Sequence, residues 1–253
     1  KRYLKKNKVV CSVYHFEEKD FERDSLKDFY KRDSYVDEYH VISPYIEKDL
    51  RNLTTKPITY IPFWVNESIW FNIPDKSDLR KKYNIDEESY LIGSFQRDTE
   101  GSDLKSPKLI KGPDRFIEIV KSKKDDLNNL KVVLTGKRRQ YIISELEKLN
   151  IDYVYLEMVT FEELNELYNI LDLYIVSSRI EGGPQAVVEC GITKTPIIST
   201  DVGFATDILS SESIFDMSNY KDAAPNINYA YEKSLELSIP KGFQKFTNLI
   251  FSK

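Results

Sequence analysis

The sequence predicts an α/β fold with a doubly wound parallel sheet, and two observations lead to it. First, short runs rich in β-branched and aromatic residues alternate along the 253-residue chain with segments of helical length. Second, the apolar run 171–176 is followed by Gly182 and Gly183, a helical stretch and another apolar run, 196–199. Strand, glycine turn, helix and strand form one βαβ unit. Its loop lies at the carboxyl edge of the sheet, where such sheets bind ligands.

Residues 1–62 are predicted to form a partial α/β domain. Apolar runs indicate strands over residues 9–15, 39–43 and 58–61, and a helix over 44–53. The charged segment 17–33 indicates a helix or a lid. Residues 63–75 hold both tryptophans and show no clear periodicity, so we interpret them as an interdomain linker that packs its aromatic side chains.

A second α/β domain is predicted over residues 76–235. Its predicted strands, separated by segments of helical length, are 90–95, 130–135, 153–156, 172–177, 197–200 and 213–215. A long polar loop follows the first of them and leads to a helix over 115–121. Thr160 and Glu163 have the spacing of a capping box at a helix start. We expect residues 236–253 to form a helical tail, and a return of this tail to the N-terminal domain is left open.

Composition narrows the range of partners and compartments. The net charge of −4 and pI near 5.5 exclude a general attraction to nucleic acid. Cys11 and Cys190 are far apart in apolar segments, which favours reduced thiols in a cytoplasmic protein. No apolar run reaches the roughly 18 residues of a spanning helix. The basic start KRYLKKNK leaves a peripheral contact with anionic lipid open beside a solvated surface.

Charged residues are predicted at the carboxyl edge of the C-terminal sheet. They are Arg97, Lys111, Lys137, Arg138, Glu181 and Glu189. Pro184 is expected at the first helical position after the glycine turn, and free backbone amides there would face a phosphate. Cations and a helix N-terminus beside paired carboxylates suit a ligand with phosphates at one end and hydroxyls at the other. This description fits a nucleotide sugar.

Three segments resemble the retaining GT-B glycosyltransferases of glycosyltransferase family 4. SRIEGGPQAVVECGITKTPIISTDVG is similar to their E-x7-E signature, GSFQR…KGPDRFIEIV to their arginine and lysine-glycine helix start, and TYIPFWVNESIWF to their linker entry. The resemblance covers about residues 9–215. It implies a GT-B fold with a Rossmann-like C-terminal donor-binding domain. The implied activity is retaining transfer of a hexose-type sugar from a nucleoside diphosphate to a hydroxyl acceptor, in glycan or glycoconjugate biosynthesis.

The resemblance also implies residue roles. Arg97 and Lys111 match the basic pair that neutralises the donor diphosphate and the leaving group, so that neither metal nor cofactor is expected. Glu189 matches the carboxylate that binds the ribose, and Glu181 the one that faces the donor sugar. His15 matches a histidine near the reacting carbon. The remaining predicted donor-binding residues are Lys137, Arg138, the base loop Met158 and Val159, and the turn residues Gly182, Gly183, Pro184, Gln185 and Ala186.

The sequence departs from the family pattern in two places. Thirteen residues separate Arg97 from Lys111, where the family has a shorter gap, so we expect this loop to cover the donor or meet the acceptor. Lys108 is then an alternative to Lys111 as the phosphate contact. The chain also begins in the middle of the expected N-terminal domain. We interpret it as a fragment, or as one of two chains that share the domain.

Plainer interpretations stay open beside these. Arg97 can instead form a surface ion pair with Asp98 or Glu100, and the run 137–139 can be partly solvent-facing with one member at the site. His15 can be a satisfied histidine at a strand end. The sequence Asp98-Thr99-Glu100 resembles a metal motif but lacks a second carboxylate cluster, so we reject a metal site there.

Function has two alternatives: a non-catalytic nucleotide-sugar-binding module or partner subunit, and an epimerase or hydrolase acting on a nucleotide sugar. The acceptor, whether glycan, lipid or protein, is not predicted.

Overall fold

The computed structural model describes residues 6–15 and 23–251. Its N-terminal part contains β1 (Val10–Val13), α1 (Arg23–Asp33), β2 (Glu38–Val41), α2 (Pro44–Arg51) and β3 (Ile58–Tyr60). The strands form a parallel sheet in the order β1-β2-β3. The predicted helix or lid over 17–33 is a helix from Arg23, and residues 17–22 lie outside the described part of the chain.

The C-terminal part is a longer alternation of strands and helices. Its elements are α3 (Ser77–Lys82), β4 (Tyr90–Ser94), β5 (Thr99–Glu100), β6 (Ser106–Pro107), α4 (Pro113–Asp126), β7 (Leu130–Thr135), α5 (Gln140–Lys148), β8 (Asp152–Leu156), α6 (Phe161–Ile170), β9 (Leu173–Val176), α7 (Gln185–Thr193), β10 (Ile197–Thr200), α8 (Ala205–Ile208), β11 (Ile214–Phe215), α9 (Ile227–Leu235) and α10 (Lys241–Phe251). Six strands form one parallel sheet, as predicted, in the order β11-β10-β9-β4-β7-β8.

The strand order creates a switch point between β4 and β9. From β4 the chain moves outward to β7 and β8, and then returns to place β9 on the other side of β4. At such a point the loops that leave two neighbouring strands diverge to opposite faces and leave a crevice between them. The topology therefore brings the loop after β4 against the glycine turn after β9.

The core of this sheet explains why its strands are nearly continuous apolar runs. Ile92, Val132 and Ile175 face the layer that contains α4 and α5, whereas Leu91, Val133 and Val176 face the layer of α6 and α7. Both faces are covered, as parallel sheets require. Within the described ranges, no helix is both long and apolar enough to cross a lipid bilayer.

Two helix starts show how local sequence sets the elements. The predicted capping box at α6 is confirmed, since Thr160 Oγ1 accepts from Glu163 N at 3.2 Å and Glu163 Oε2 accepts from Thr160 N at 2.7 Å. Helix α4 begins at Pro113, earlier than the predicted residue 115, because Gly112 adopts φ +62° and turns the chain directly into it.

Aromatic side chains join the segment 63–75 to its neighbours. Trp64 packs edge-on against Phe243 of α10, and Trp70 packs edge-on against Tyr168 of α6. The α10 residue Phe246 also contacts His40 of β2, with ring centroids 4.9 Å apart. The connecting segment and the last helix thus fix the position of the N-terminal sheet relative to the C-terminal one.

Candidate functional site

The loops that leave β4 and β9 pack backbone against backbone. Ser177 Oγ donates to Gly112 O at 2.8 Å, and Arg179 N donates to Ile110 O at 2.8 Å. A Cβ atom at Gly112 would lie 1.9 Å from Ser177 O, so only glycine allows this approach. The contact fixes the backbone of Lys111 beside the segment that carries Glu181.

Lys111 and Glu181 form an ion pair at the switch point. Lys111 Nζ lies 2.5 Å from Glu181 Oε2, and the two side chains are 26% and 11% exposed. The other carboxylate oxygen, Oε1, accepts a hydrogen bond from Ser178 Oγ at 2.9 Å. The structure thus brings together two residues that the resemblance assigns to different parts of the donor. Because each offsets the charge of the other, Lys111 is not an unpaired cation.

Gln96 and Ser178 complete this network, and the sequence did not single them out as site residues. Gln96 Nε2 donates to Lys111 O at 3.0 Å, and Ser178 Oγ lies 3.2 Å from Gln96 Oε1. Both residues follow closely on the carboxyl end of a strand, β4 or β9. That position is the signal by which the sequence could have identified them.

The glycine turn approaches the N-terminal sheet. A Cβ atom at Gly182 would lie 1.8 Å from Tyr14 O, just past β1, and one at Gly183 would meet the ring of Phe204. Pro184 occupies the N-cap of α7, so its predicted place as the first helical residue is corrected by one position. Gln185 and Ala186 are the first residues of α7. Amides in a first helical turn lack an intrahelical acceptor, and theirs are available to an anion.

Glu189 lies one turn further along α7, in a separate network. Its Oε2 accepts a hydrogen bond from the Tyr168 hydroxyl at 2.8 Å. Burial raises the pKa of Glu189 to about 7, and the hydrogen bond from Tyr168 acts in the opposite direction. At neutral pH this carboxyl therefore exchanges between its protonated and ionised forms.

The long loop after β4 is an ordered hairpin, formed by the antiparallel strands β5 and β6. Arg139, with a fully buried side chain, binds Asp98 through Nε and Oδ2 at 2.5 Å. Arg138 has φ +62° and donates from a guanidinium nitrogen to Gly101 O at 3.1 Å. Lys137 is exposed. The run 137–139 is thus partly solvent-facing, as expected, and its buried member Arg139 is a structural residue.

Arg97 follows β4, and the predicted base loop follows β8, so both lie beyond carboxyl ends of strands of the sheet. The exposed Arg97 does not pair with Asp98; its Nε donates to Thr99 O at 2.9 Å, so the alternative of an ion pair with Asp98 is wrong. Met158 and Val159 follow β8, the last strand of the sheet. Met158 is 73% exposed, whereas Val159 packs partly against the core. An exposed apolar side chain beyond β8 is free to contact a flat ring.

A cavity of about 560 Å³ joins the N-terminal and C-terminal parts at this crevice. Its lining consists of His15, Glu100, Lys108, Leu109, Ile110, Lys111 and Ile180. His15 lies just beyond β1 and is exposed, so the predicted histidine does reach the same cavity as Lys111. Among the described residues, the lining includes neither Arg97 nor Glu189.

Most of the sequence matches a known protein family. The profile described as "Glycosyl transferases group 1" matches residues 75–239, more than half of the chain. A curated relative, the alpha-galactosylglucosyldiacylglycerol synthase of Streptococcus pneumoniae, is 22% identical over 194 residues, which are 72% of this chain and 47% of the relative. The chain thus spans about half the length of the curated relative that it matches.

Solved structures share the fold. HepE of Anabaena, determined with UDP and glucose, superimposes with a TM-score of 0.78 at 13% identity, over 98% of this chain and 72% of that one. Sucrose-phosphate synthase from Thermosynechococcus elongatus gives 0.71 at 15% identity, over 95% and 66%. These matches and the two parallel sheets confirm the predicted α/β fold of GT-B type.

Proposed function

Because the chain belongs to the glycosyl transferases group 1 family, we propose that it transfers a sugar from a nucleoside diphosphate sugar to a hydroxyl acceptor. The observation that supports this most is the crevice at the switch point. There the Lys111–Glu181 pair lies beside a cavity that Lys111 and His15 both line, and the glycine turn after Glu181 leads into the first turn of α7. Cations, free amides and a carboxylate in one crevice can hold both ends of such a donor.

The donor's diphosphate would bind at the first turn of α7 and beside Lys111. Amides of Gln185 and Ala186 and the lysine ammonium would stabilise the negative charge that develops on the leaving diphosphate. We propose that this stabilisation makes a metal ion unnecessary. Glu181 would then accept hydrogen bonds from the sugar hydroxyls, and His15 would contact the sugar from the opposite side.

Glu189 would bind the ribose. Ribose hydroxyls donate hydrogen bonds to the ionised carboxylate, so binding would lower the pKa of Glu189 from about 7 and release a proton. Nucleotide affinity would therefore rise with pH until Glu189 is ionised in the free protein. Met158 and Val159 would contact the base.

The finer assignment is retention of anomeric configuration, as in glycosyltransferase family 4. Its support is the spacing of Glu181 and Glu189, which occupy the glycine turn and α7. The structure of Anabaena HepE holds UDP, and this favours a UDP-sugar as the donor. The pneumococcal relative is named for a glycosylated diacylglycerol, which favours a lipid-linked acceptor and peripheral contact of a cytoplasmic enzyme with a membrane.

The test is a calorimetric titration of the chain with UDP and GDP. We expect one of them to bind, and Glu189→Ala to weaken it by about 1.5–3 kcal/mol, the scale of a hydrogen bond to a charged group. Glu118→Ala, an exposed position on α4, is the matched control and should leave the affinity unchanged. Absence of binding, or equal binding by Glu189→Ala, would contradict the proposal.

The second candidate is a donor-binding module or partner subunit without catalysis of its own. It is favoured by the lining of the cavity, in which, among the residues that the structure describes, His15 belongs to the N-terminal part and the others to the C-terminal part. Product formation from UDP-sugars by the chain alone, and with a chain that supplies further N-terminal strands, distinguishes the two. Release of free sugar or an epimerised donor without an acceptor would instead indicate a hydrolase or epimerase.

A further inference from the structure

We propose that Lys108, rather than Arg97, is the cation that joins Lys111 in binding the donor's diphosphate, and that the β5–β6 hairpin holds it in place. This inference rests on the proposed function and assigns a new residue to it.

Arg97 is placed unfavourably for this role. Its Nε donates to Thr99 O at 2.9 Å, which ties the guanidinium to the hairpin's own backbone. The side chain is exposed and does not line the cavity that Lys111 and His15 share. In its present position Arg97 does not belong to the wall that a diphosphate in that cavity would contact.

Lys108 is placed favourably. It lines the cavity and directly precedes the 3₁₀ turn Leu109–Lys111. Lys111 lines the same cavity, and Lys111 N donates to Lys108 O at 2.8 Å, so the two lysines stand at the two ends of one turn. Among the described residues Lys108 has no ion-pair partner, whereas Lys111 is compensated by Glu181. The uncompensated positive charge at the cavity wall is therefore that of Lys108.

The hairpin fixes the backbone at Lys108. Lys108 N donates to Asp98 O at 2.7 Å, and the Asp98 side chain is held by the buried Arg139. Asp98 N and Thr99 N both donate to Arg138 O, at 3.3 and 3.1 Å. A residue mounted in this way loses little backbone freedom when it binds a ligand. This accounts for the additional residues between Arg97 and Lys111.

Glu100 is the one opposing charge on this part of the wall, among the residues that the structure describes. It lies on β5, is exposed, and lines the same cavity. Its carboxylate would repel a diphosphate at Lys108, although water screens an exposed charge. We therefore expect Glu100→Gln to strengthen diphosphate binding slightly, by about twofold.

The experiment compares UDP with UMP, or GDP with GMP if guanine binds better, on four proteins: the wild type, Lys108→Gln, Arg97→Gln and Lys105→Gln. Lys105 is an exposed lysine of the same hairpin outside the cavity lining, and it is the matched control. We expect Lys108→Gln to weaken the diphosphate by about tenfold and the monophosphate much less, since hydrogen bonds between charged groups are the strong ones. The other two variants should stay within about twofold of the wild type.

Each other outcome has a defined meaning. Unchanged diphosphate binding by Lys108→Gln, or a larger loss with Arg97→Gln, would overturn this inference and leave the proposed function standing. A wild-type chain that binds no nucleotide would overturn both. Thermal unfolding of Lys108→Gln at the wild-type temperature excludes misfolding as the cause of a loss.

Discussion

Two ion pairs hold the loop between β4 and α4, and they differ in exposure. Arg139–Asp98 and Lys111–Glu181 both have a nitrogen–oxygen distance of 2.5 Å. The side chains of the first pair are 0% and 2% exposed, and those of the second are 26% and 11% exposed. The first anchors the start of the loop in the core, whereas the second closes its end beside the cavity.

The surroundings of the two ion pairs explain why one stabilises the fold and the other can bind a ligand. One terminal nitrogen of Arg139 donates to Ser94 O and Thr135 O at 2.6 and 2.7 Å, so the buried charge is fully engaged by the protein. Lys111 lines the cavity, and its partner Glu181 is held on the protein side by Ser178. A buried pair with all its partners supplied stabilises one conformation. A pair open on one side can exchange partners with a ligand.

The largest expected effect is on the buried pair. Asp98→Ala would leave Arg139 charged and unpaired in the core, which costs about 3–5 kcal/mol of unfolding free energy. The double variant Asp98→Ala, Arg139→Leu should recover part of this loss, because no uncompensated charge is left. Urea unfolding measures both. A loss below about 1 kcal/mol for the single variant would show that the pair is not the anchor.

Lys111→Gln should separate stability from activity. Its pair with Glu181 is partly solvated, so we expect the free energy of unfolding to change by less than about 1 kcal/mol. Removal of the cation beside the leaving group should lower kcat by on the order of 100-fold. Urea unfolding and initial rates with a UDP-sugar test the two halves. A large loss of stability with little loss of rate would show that the Lys111–Glu181 pair is structural and not part of the site.

The raised pKa of Glu189 predicts that the free energy of unfolding depends on pH. Its pKa is raised from 4.5 to about 7 on folding, so between these values the folded state binds more protons than the unfolded state. Stability is therefore highest below about pH 4.5 as far as this group is concerned, and it falls as pH rises towards 7. We expect the loss to be on the order of 1–3 kcal/mol. Glu189→Gln should remove this slope; an unchanged slope would contradict the raised pKa.

The smallest effect is expected at a more exposed ion pair. Arg51 and Glu47 lie one turn apart on α2, with side chains 56% and 27% exposed. Glu47→Gln should cost roughly 0.3–0.5 kcal/mol, less than either pair of the loop. Urea unfolding of this variant calibrates the comparison, and a cost above that of Lys111→Gln would undermine it.

The sequence predicted the strands, the glycine turn and the capping box because local patterns determine them. Apolar runs indicate buried parallel strands. The pair Thr160 and Glu163 indicates a helix start whatever its position in the fold. The partners of Lys111 and Arg139 were not predictable in this way, since each lies 40 or more residues away along the chain. Only the strand order, with β9 returning beside β4, brings Glu181 to Lys111.

The rigidity of the β5–β6 hairpin was likewise not predictable from the local sequence. Its length was visible as the gap between Arg97 and Lys111, but the gap is compatible with a mobile lid or a rigid wall. The difference depends on Asp98 reaching the buried Arg139 at the start of α5. A run of three basic residues does not reveal which member turns inward. The packing of α5 against the sheet determines which of the three is buried.

The most direct test of the account is a map of backbone amide chemical-shift changes when UDP is added to the isotope-labelled chain. We predict the largest changes at the glycine turn and the start of α7, residues 182–186, and at residues 108–112. A second cavity, of about 480 Å³, lies at the opposite edge of the sheet and is lined by residues that include Asn129, Lys131 and Asp152. Changes centred there, with the α7 turn unaffected, would contradict the central claim that the switch point is the donor site.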